Sequence, residues 1–344
     1  MSRRPAERAL RTFAGCAALA FAACTPAARA GAGSPLLLHS VADVPLEGQS
    51  RRFASQRLDA ASGMLFVADF DGARVVVFDT HANRVVKVIR DLPTAQDILA
   101  VPELHRVYVS EPGVYEIAAI DTRTYAVVAR VPGGRYPAGM AWDPVRRKVY
   151  VSDVIGETET AIDTTHDARV ATIPLGGAAG GSQFARSENL VYVNVKSTNE
   201  LVAVDPASDA VVARYPIADC ADNADLLVDD VARLAYIACR GNARVVTFDL
   251  RTHRVRESNA TGAVPSALAW DAAASLLYVA SERGTISVFS TTGGRLRKVA
   301  EGALADDAHS VAVDGATHRL YFPLHDAAGR PVLRSAVFAA RSLR

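Results

Sequence analysis

A seven-bladed β-propeller, all-β and built from four-stranded antiparallel blades, is the fold this sequence predicts. Three observations predict it. Phe66, Tyr108, Tyr150, Tyr192, Tyr236, Tyr278 and Tyr321 each sit in a short alternating run such as Arg106-Val-Tyr-Val-Ser110, at spacings of 42, 42, 42, 44, 42 and 43 residues. An aspartate follows 13 residues later in five repeats, as Asp79, Asp121, Asp163, Asp205 and Asp249. A fixed period of this length with strand-like content marks one supersecondary unit per repeat, here a WD40-like repeat. A single unit cannot bury both of its faces, so seven of them close into a ring. The last repeat also ends one strand short, while an unassigned strand-like segment, Leu36 to Val44, precedes the first.

The elements follow in order. Residues 1–30 have the form of an export signal: Arg3, Arg4, Arg8 and Arg11 precede the apolar run Thr12 to Ala23, and Ala28-Arg-Ala30 fits a small-x-small cleavage site. The run is too short to span a bilayer. Phe21-Ala-Ala-Cys24 loosely fits a lipobox, so an anchored lipoprotein is the alternative to a cleaved periplasmic or secreted form. Residues 31–344 are then one propeller. Blade 3 shows its grammar. Ala138 to Trp142 is the inner strand, Lys148 to Asp153 the second, the third ends at Asp163, and Arg169 to Ile173 is the outer strand. Asp143-Pro-Val-Arg-Arg147 and Thr164-Thr-His-Asp167 are turns. Asp59, Asp143, Asp229, Asp271 and Asp314 recur at the first turn. A residue needed once per blade serves the blade, so both aspartate series are expected to accept turn N–H groups. Blade 7 has an inner strand near Ser310–Val313, a second at Arg319–Leu324 and a third at Val332–Phe338. Leu36 to Val44 should complete it and remove the open edge.

Composition narrows the function classes. Without residues 1–30 the chain carries 33 basic and 36 acidic side chains, a net of −3, which argues against a general nucleic-acid or anionic-membrane surface. No segment after the leader is long and apolar enough for a transmembrane helix, and the expected state is a monomer. Cys220 and Cys239 remain, an even pair that reads as a disulfide in an exported chain. Antiparallel pairing across the Asp229 turn puts Cys239 opposite a residue near Asn223, about three residues from Cys220. There is no Cys-x-x-Cys-His, no Gly-x-Ser-x-Gly and no phosphate loop. Gly176-Gly-Ala-Ala-Gly-Gly181 lies between an outer strand and the next inner strand, and flexible connection explains it better than a phosphate cradle.

Candidate site residues are those that break the repeat on the face where inner strands begin. Aligned on the aromatics, that position carries Gln96, Asp97, Asp225, Ser266, His309 and Ser310, where other blades have Ala or Gly. Arg57 and Gln183 break the pattern two residues further on. Arg51, Arg52, Arg135, Lys196, Arg240 and His325 stand on nearby loops. Asp69, Glu111 and Asp153 follow the second strands of three successive blades, and are expected to make one side of the rim acidic. Three readings compete: solvated or mutually paired groups round a water-filled channel, a site for a small polar ligand or peptide, and a divalent-metal site using Asp97, Asp225 and His309. No His-x-His spacing supports the metal, and His309 alone is more often a hydrogen-bonded structural histidine. The ligand-binding set is Gln96, Asp97, Asp225, His309, Arg52, Arg240 and His325, with no catalytic residue and no required cofactor. Asp97 and Asp225 belong to neither turn series, so they are expected to be dispensable for folding.

The repeats resemble the YVTN-type, YncE-like exported propellers. Tyr108-Val-Ser-Glu, Tyr150-Val-Ser-Asp, Tyr192-Val-Asn-Val and Tyr278-Val-Ala-Ser match the repeat core, as does Pro137-Ala-Gly-Met-Ala-Trp-Asp-Pro144. The stretch around Ile237-Ala-Cys-Arg-Gly-Asn-Ala-Arg244 looks like a blade in which related proteins also carry paired cysteines. The resemblance implies an exported propeller, typically without assigned enzyme activity. A more distant resemblance, to the gluconolactonase and streptogramin-lyase propellers, implies a metal-dependent lactonase or lyase as the alternative. A third reading is a subunit docking beside a periplasmic redox enzyme. The mature protein is expected to begin at Gly31. Intact mass of the exported chain checks this, and a lipid on Cys24 would move the protein to a membrane anchor.

Overall fold

The computed structural model describes Ser34, Pro35 and residues 38–339; the export-signal segment, Cys24 and residues 36–37 lie outside them. Seven antiparallel four-stranded sheets are present, and each except the last follows chain order from an inner to an outer strand. The inner strands are Phe53–Asp59, Ile98–Val101, Pro137–Asp143, Ala179–Ala185, Asn223–Asp229, Pro265–Asp271 and Ala312–Asp314. The second strands are Met64–Asp69, Arg106–Glu111, Lys148–Asp153, Leu190–Val195, Leu234–Cys239, Leu276–Ser281 and Arg319–Leu324. Each carries the repeat aromatic, which is at most 1% exposed.

Those aromatics weld each blade to the next. The Tyr150 hydroxyl donates to Asp209 Oδ1 at 2.6 Å, in the third-to-outer turn of blade 4, and Lys148 Nζ reaches the same carboxylate at 2.6 Å. The Tyr108 hydroxyl meets Asp167 of blade 3 at 3.4 Å. Tyrosine thus supplies both an apolar body for the interface and a polar tip for a turn on the neighbour. Asp167 and Asp209 hold positive φ values of 48° and 50°, the left-handed residue that closes each hairpin there.

Both aspartate series do what their regularity predicts. Asp143 accepts from the Val145 N–H at 2.8 Å and Asp229 from the Val231 N–H at 3.0 Å. Asp79 and Asp249 accept equivalent bonds, at 2.9 Å each, from the His81 and Arg251 N–H groups.

Closure is as expected. Leu38–Pro45 pairs antiparallel with Val332–Phe338, Leu38 opposite Phe338 and Pro45 opposite Val332. Arg334 clamps Asp43 through two bonds of 2.8 and 2.6 Å, which holds the Asp43 carboxyl below its ordinary range. Ser34 and Pro35 add a short parallel strand to the outer edge of blade 6, opposite Ala300 and Glu301. Cys220 and Cys239 form a disulfide with Cα atoms 5.2 Å apart, and Cys239 lies opposite Asn223 in the ladder. A loop of 19 residues closed this way is worth about 3 kcal/mol in the chain-entropy account.

The glycine run has a different role from the one expected. Gly180 and Gly181 lie within the inner strand Ala179–Ala185. A Cβ on Gly180 would stand 2.8 Å from the Ala224 carbonyl oxygen, and one on Gly139 would stand 2.9 Å from that of Gly180. The inner strands of blades 3, 4 and 5 therefore pack backbone against backbone, and close approach, not flexibility, requires glycine there. Deleting residues 31–45 is expected to leave the Val332–Phe338 edge unpaired and to cause aggregation or loss of cooperative thermal unfolding. A truncated chain melting like the full one would show that closure does not stabilise the ring.

Candidate functional site at the channel mouth

Inner strands begin, and second strands end, on one face of the ring. A cavity of about 190 Å³ lies there on the axis, lined by residues from all seven blades. Gln96, Asp97, Asp225, His309, Arg52 and Arg240 all line it, and so do Arg57, Gln183 and Lys196. His325 does not: it lines a separate, open cleft of about 500 Å³ with Arg51, Asp71 and Arg330.

The two carboxylates on the wall are structural stitches. Asp97 Oδ2 accepts the Met140 N–H of the next blade at 3.2 Å. Asp225 Oδ2 accepts the Leu268 N–H at 2.8 Å and its Oδ1 the Leu226 N–H at 2.9 Å. Ser55 does the same for the Ile98 N–H at 3.1 Å. These residues occupy one position of the repeat and cap a backbone donor of the following inner strand. The expectation that Asp97 and Asp225 are dispensable for folding is therefore corrected: removing either strands an inward N–H. Burial raises both carboxyls, Asp225 to about 6, and the Arg57 guanidinium opposes the shift in each. Arg57 Nε donates to the Ile98 carbonyl at 3.4 Å.

His309 is 3% exposed. Its Nδ1 lies 2.9 Å from Asp307 Oδ1, and its Nε2 is buried without a hydrogen-bond partner. Among the described residues no three of His, Cys, Asp and Glu are grouped as a metal-ligand set. Asp97, Asp225 and His309 share the cavity wall, where both oxygens of Asp225 and one of Asp97 accept backbone N–H groups.

The acidic rim is also corrected. Asp69, Glu111 and Asp153 are all fully buried and partnered from within, although Glu111 Oε1 has no hydrogen-bond partner. Asp69 takes Arg74 at 2.7 Å and Ser50 at 2.6 Å; Asp153 takes Thr158, Thr160 and the Gly134 N–H; Glu111 is paired with Arg130. What remains open at the mouth is mostly cationic. Arg240 meets Glu282 at 2.9 Å and Asp222 at 3.6 Å. Lys196 is pushed below its ordinary range by burial, which Asp222 opposes and the neighbouring Arg240 reinforces.

Glu159 escaped the sequence reading. It replaces Val75, Ile117, Leu201 and Val245 of the other third strands, and it is fully buried. Ser152 Oγ donates to its Oε2 at 2.8 Å, and burial pushes its carboxyl well up. An acid at an apolar repeat position is a signal the sequence did contain.

No protein-family model and no curated protein matches the chain. Solved structures do match in fold. The Kuenenia stuttgartiensis hydrazine synthase superposes with a TM-score of 0.71 at 12% identity, over 86% of this chain and 98% of that one. Streptogramin B lyase gives 0.72 at 11% identity, over 86% and 97%. The RRP9 WD40 repeats give 0.74 at 9% identity, over 88% and 100%. At such identities the likeness establishes the seven-bladed propeller, a scaffold on which both binding modules and a lyase are found.

Two groups of carboxyls set the pH response. Glu111, raised to about 7, Asp225, raised to about 6, and Asp97, Asp153 and Glu159, all raised, bind protons more tightly folded than unfolded. Their stabilisation is fully present below the unfolded carboxyl range and is lost as pH rises through the folded values. Asp43, Asp163 and Asp205 are depressed by hydrogen bonds, so their contribution is lost as pH falls below about 4. The thermal midpoint is expected to be higher at about pH 5 than at about pH 8, and to fall again in stronger acid. Glu159→Gln should flatten the alkaline loss; an unchanged slope would remove the buried carboxyl from this account.

Proposed function

We propose that this protein is an exported, YncE-like propeller that works as a binding module, holding a small polar ligand or a peptide segment at the channel mouth. One observation carries the reading: the axial cavity is lined by all seven blades, and most of its charged groups break the repeat. Repeat-breaking groups concentrated at one concave place are what a specific recognition site needs on a quasi-symmetric ring. The leader-like N-terminus and the Cys220–Cys239 disulfide support an oxidising, extracytoplasmic setting. No helix of the described residues is long and apolar enough to cross a membrane. The metal-dependent lyase alternative is less favoured, because among the described residues no three of His, Cys, Asp and Glu are grouped as a ligand set. Streptogramin B lyase shares the fold and no more.

Hydrogen exchange with and without a mixture of dipeptides and small organic acids tests this. Protection is expected at Gln96–Asp97, residues 179–183 and residues 308–310, with Arg57→Ala abolishing it. Protection confined to the opposite face, at the Asp59, Asp143 and Asp271 turns, would sink the assignment.

A further inference from the structure

The residues directly after the second strands differ in kind round the ring, and three of them, Val154, Lys196 and Arg240, line the cavity. Blades 1 to 3 place Phe70, Pro112 and Val154 at this position of the repeat; blades 4 to 7 place Lys196, Arg240, Glu282 and His325. Blade order sets Lys196 and Arg240 across the axis from Phe70 and Pro112. The apolar half continues outward into Val114, Tyr115 and Ile155, which are 43, 48 and 52% exposed at the adjoining hairpin tips.

The charged half is built at a cost. Lys196 stands near enough to Arg240 for that like charge to depress it further, and among the described residues it makes no ion pair within 4 Å. Arg240 follows Cys239 directly, and its N–H donates to the Asp222 carbonyl at 3.0 Å, so the disulfide-tied loop fixes where the guanidinium starts. Lys196 and Arg240 line one cavity from adjacent blades, and a cation whose loop is pinned is preorganised for an anion. The carboxylates near the mouth already have partners. Asp222 and Glu282 serve Arg240, Asp97 and Asp225 cap backbone donors around Arg57, and Asp307 lies near Arg52 and His309. Arg135 adds a further exposed positive charge on the blade 3 loop.

We propose that the mouth takes a small organic carboxylate with a short apolar tail, its head on Lys196 and Arg240 and its tail toward Val154. This rests on the channel-mouth reading above and names its ligand class. The cavity, about 190 Å³, holds roughly a dozen water-sized groups, which suits an aryl- or alkyl-carboxylate and excludes a polymer threaded through the ring.

The test uses 3-phenylpropionate, its neutral amide and acetate, compared by calorimetry at fixed ionic strength on the mature protein. The acid should bind more tightly than either, because the amide lacks the charge and acetate lacks the tail. Lys196→Met should weaken the acid by about tenfold or more, the loss of one charge-assisted contact. The same variant should leave the unliganded melting midpoint unchanged or higher, since it removes a charge that burial disfavours and breaks no ion pair within 4 Å. Lys196→Arg should restore binding. Equal binding of acid and amide, or of acid and acetate, overturns the proposal, as does full affinity in Lys196→Met. If the amide alone binds and protects the mouth in hydrogen exchange, the mouth remains a binding site and only the carboxylate assignment falls. If none of the three binds, the carboxylate assignment falls, and the channel-mouth reading is judged separately by the dipeptide exchange experiment.

Discussion

Seven inner strands converge on one axis, and each presents to that axis an edge with no strand beside it. A backbone donor left there unpaired costs on the order of 1–3 kcal/mol, so every inner strand must be satisfied or covered. The chain solves this in two ways. Between blades 1 and 2, 2 and 3, and 5 and 6, a side chain at the head of one inner strand caps an N–H of the next: Ser55 to Ile98, Asp97 to Met140, Asp225 to Leu268. Between blades 3, 4 and 5, Gly139, Gly180 and Gly181 let the strands touch directly. The channel is therefore narrow on one side and polar on the other, and that inequality gives the cavity its shape.

The same constraint explains what the sequence made legible. A period of 42 residues, the buried aromatics, both turn-aspartate series, the closing strand and the disulfide could all be read, because each is either repeated or forced by closure. Asp69, Glu111 and Asp153 were misread because position in the repeat does not say which way a loop folds back. Arg74, Arg130, Thr158 and Thr160 turn these acids into buried anchors, and each partner is a surface-type residue in sequence. Asp97 and Asp225 show a subtler limit. They break the repeat, which is the mark of a site residue, yet their carboxylates cap strand heads. On a ring whose blade junctions differ, a singular residue can be structural.

Burial of so many carboxyls on blades 2 and 3 has an electrostatic consequence. Glu111, Asp153 and Glu159 are withdrawn from the solvent, and all three are raised by that withdrawal. On those blades the next residues are Pro112, which is buried, and Val154, which is half-buried and lines the cavity. On blade 3 the acid turned inward thus leaves an apolar side chain at the mouth. The polarity of the opening is decided by which of two adjacent positions turns inward.

Recognition on a propeller requires breaking its own symmetry, and symmetry is what stabilises it. Every blade buries its repeat aromatic, and two of these bond to a turn aspartate of the next blade, so substitutions there are felt by the ring. Positions after the second strands carry no such duty. They range from Phe to Glu while the strands beneath them stay alike. Burial disfavours the Lys196 charge, and Arg240 works against the attraction of Asp222. Two cations from adjacent blades lining a cavity of small-molecule size have a physical rationale once an anionic ligand is present.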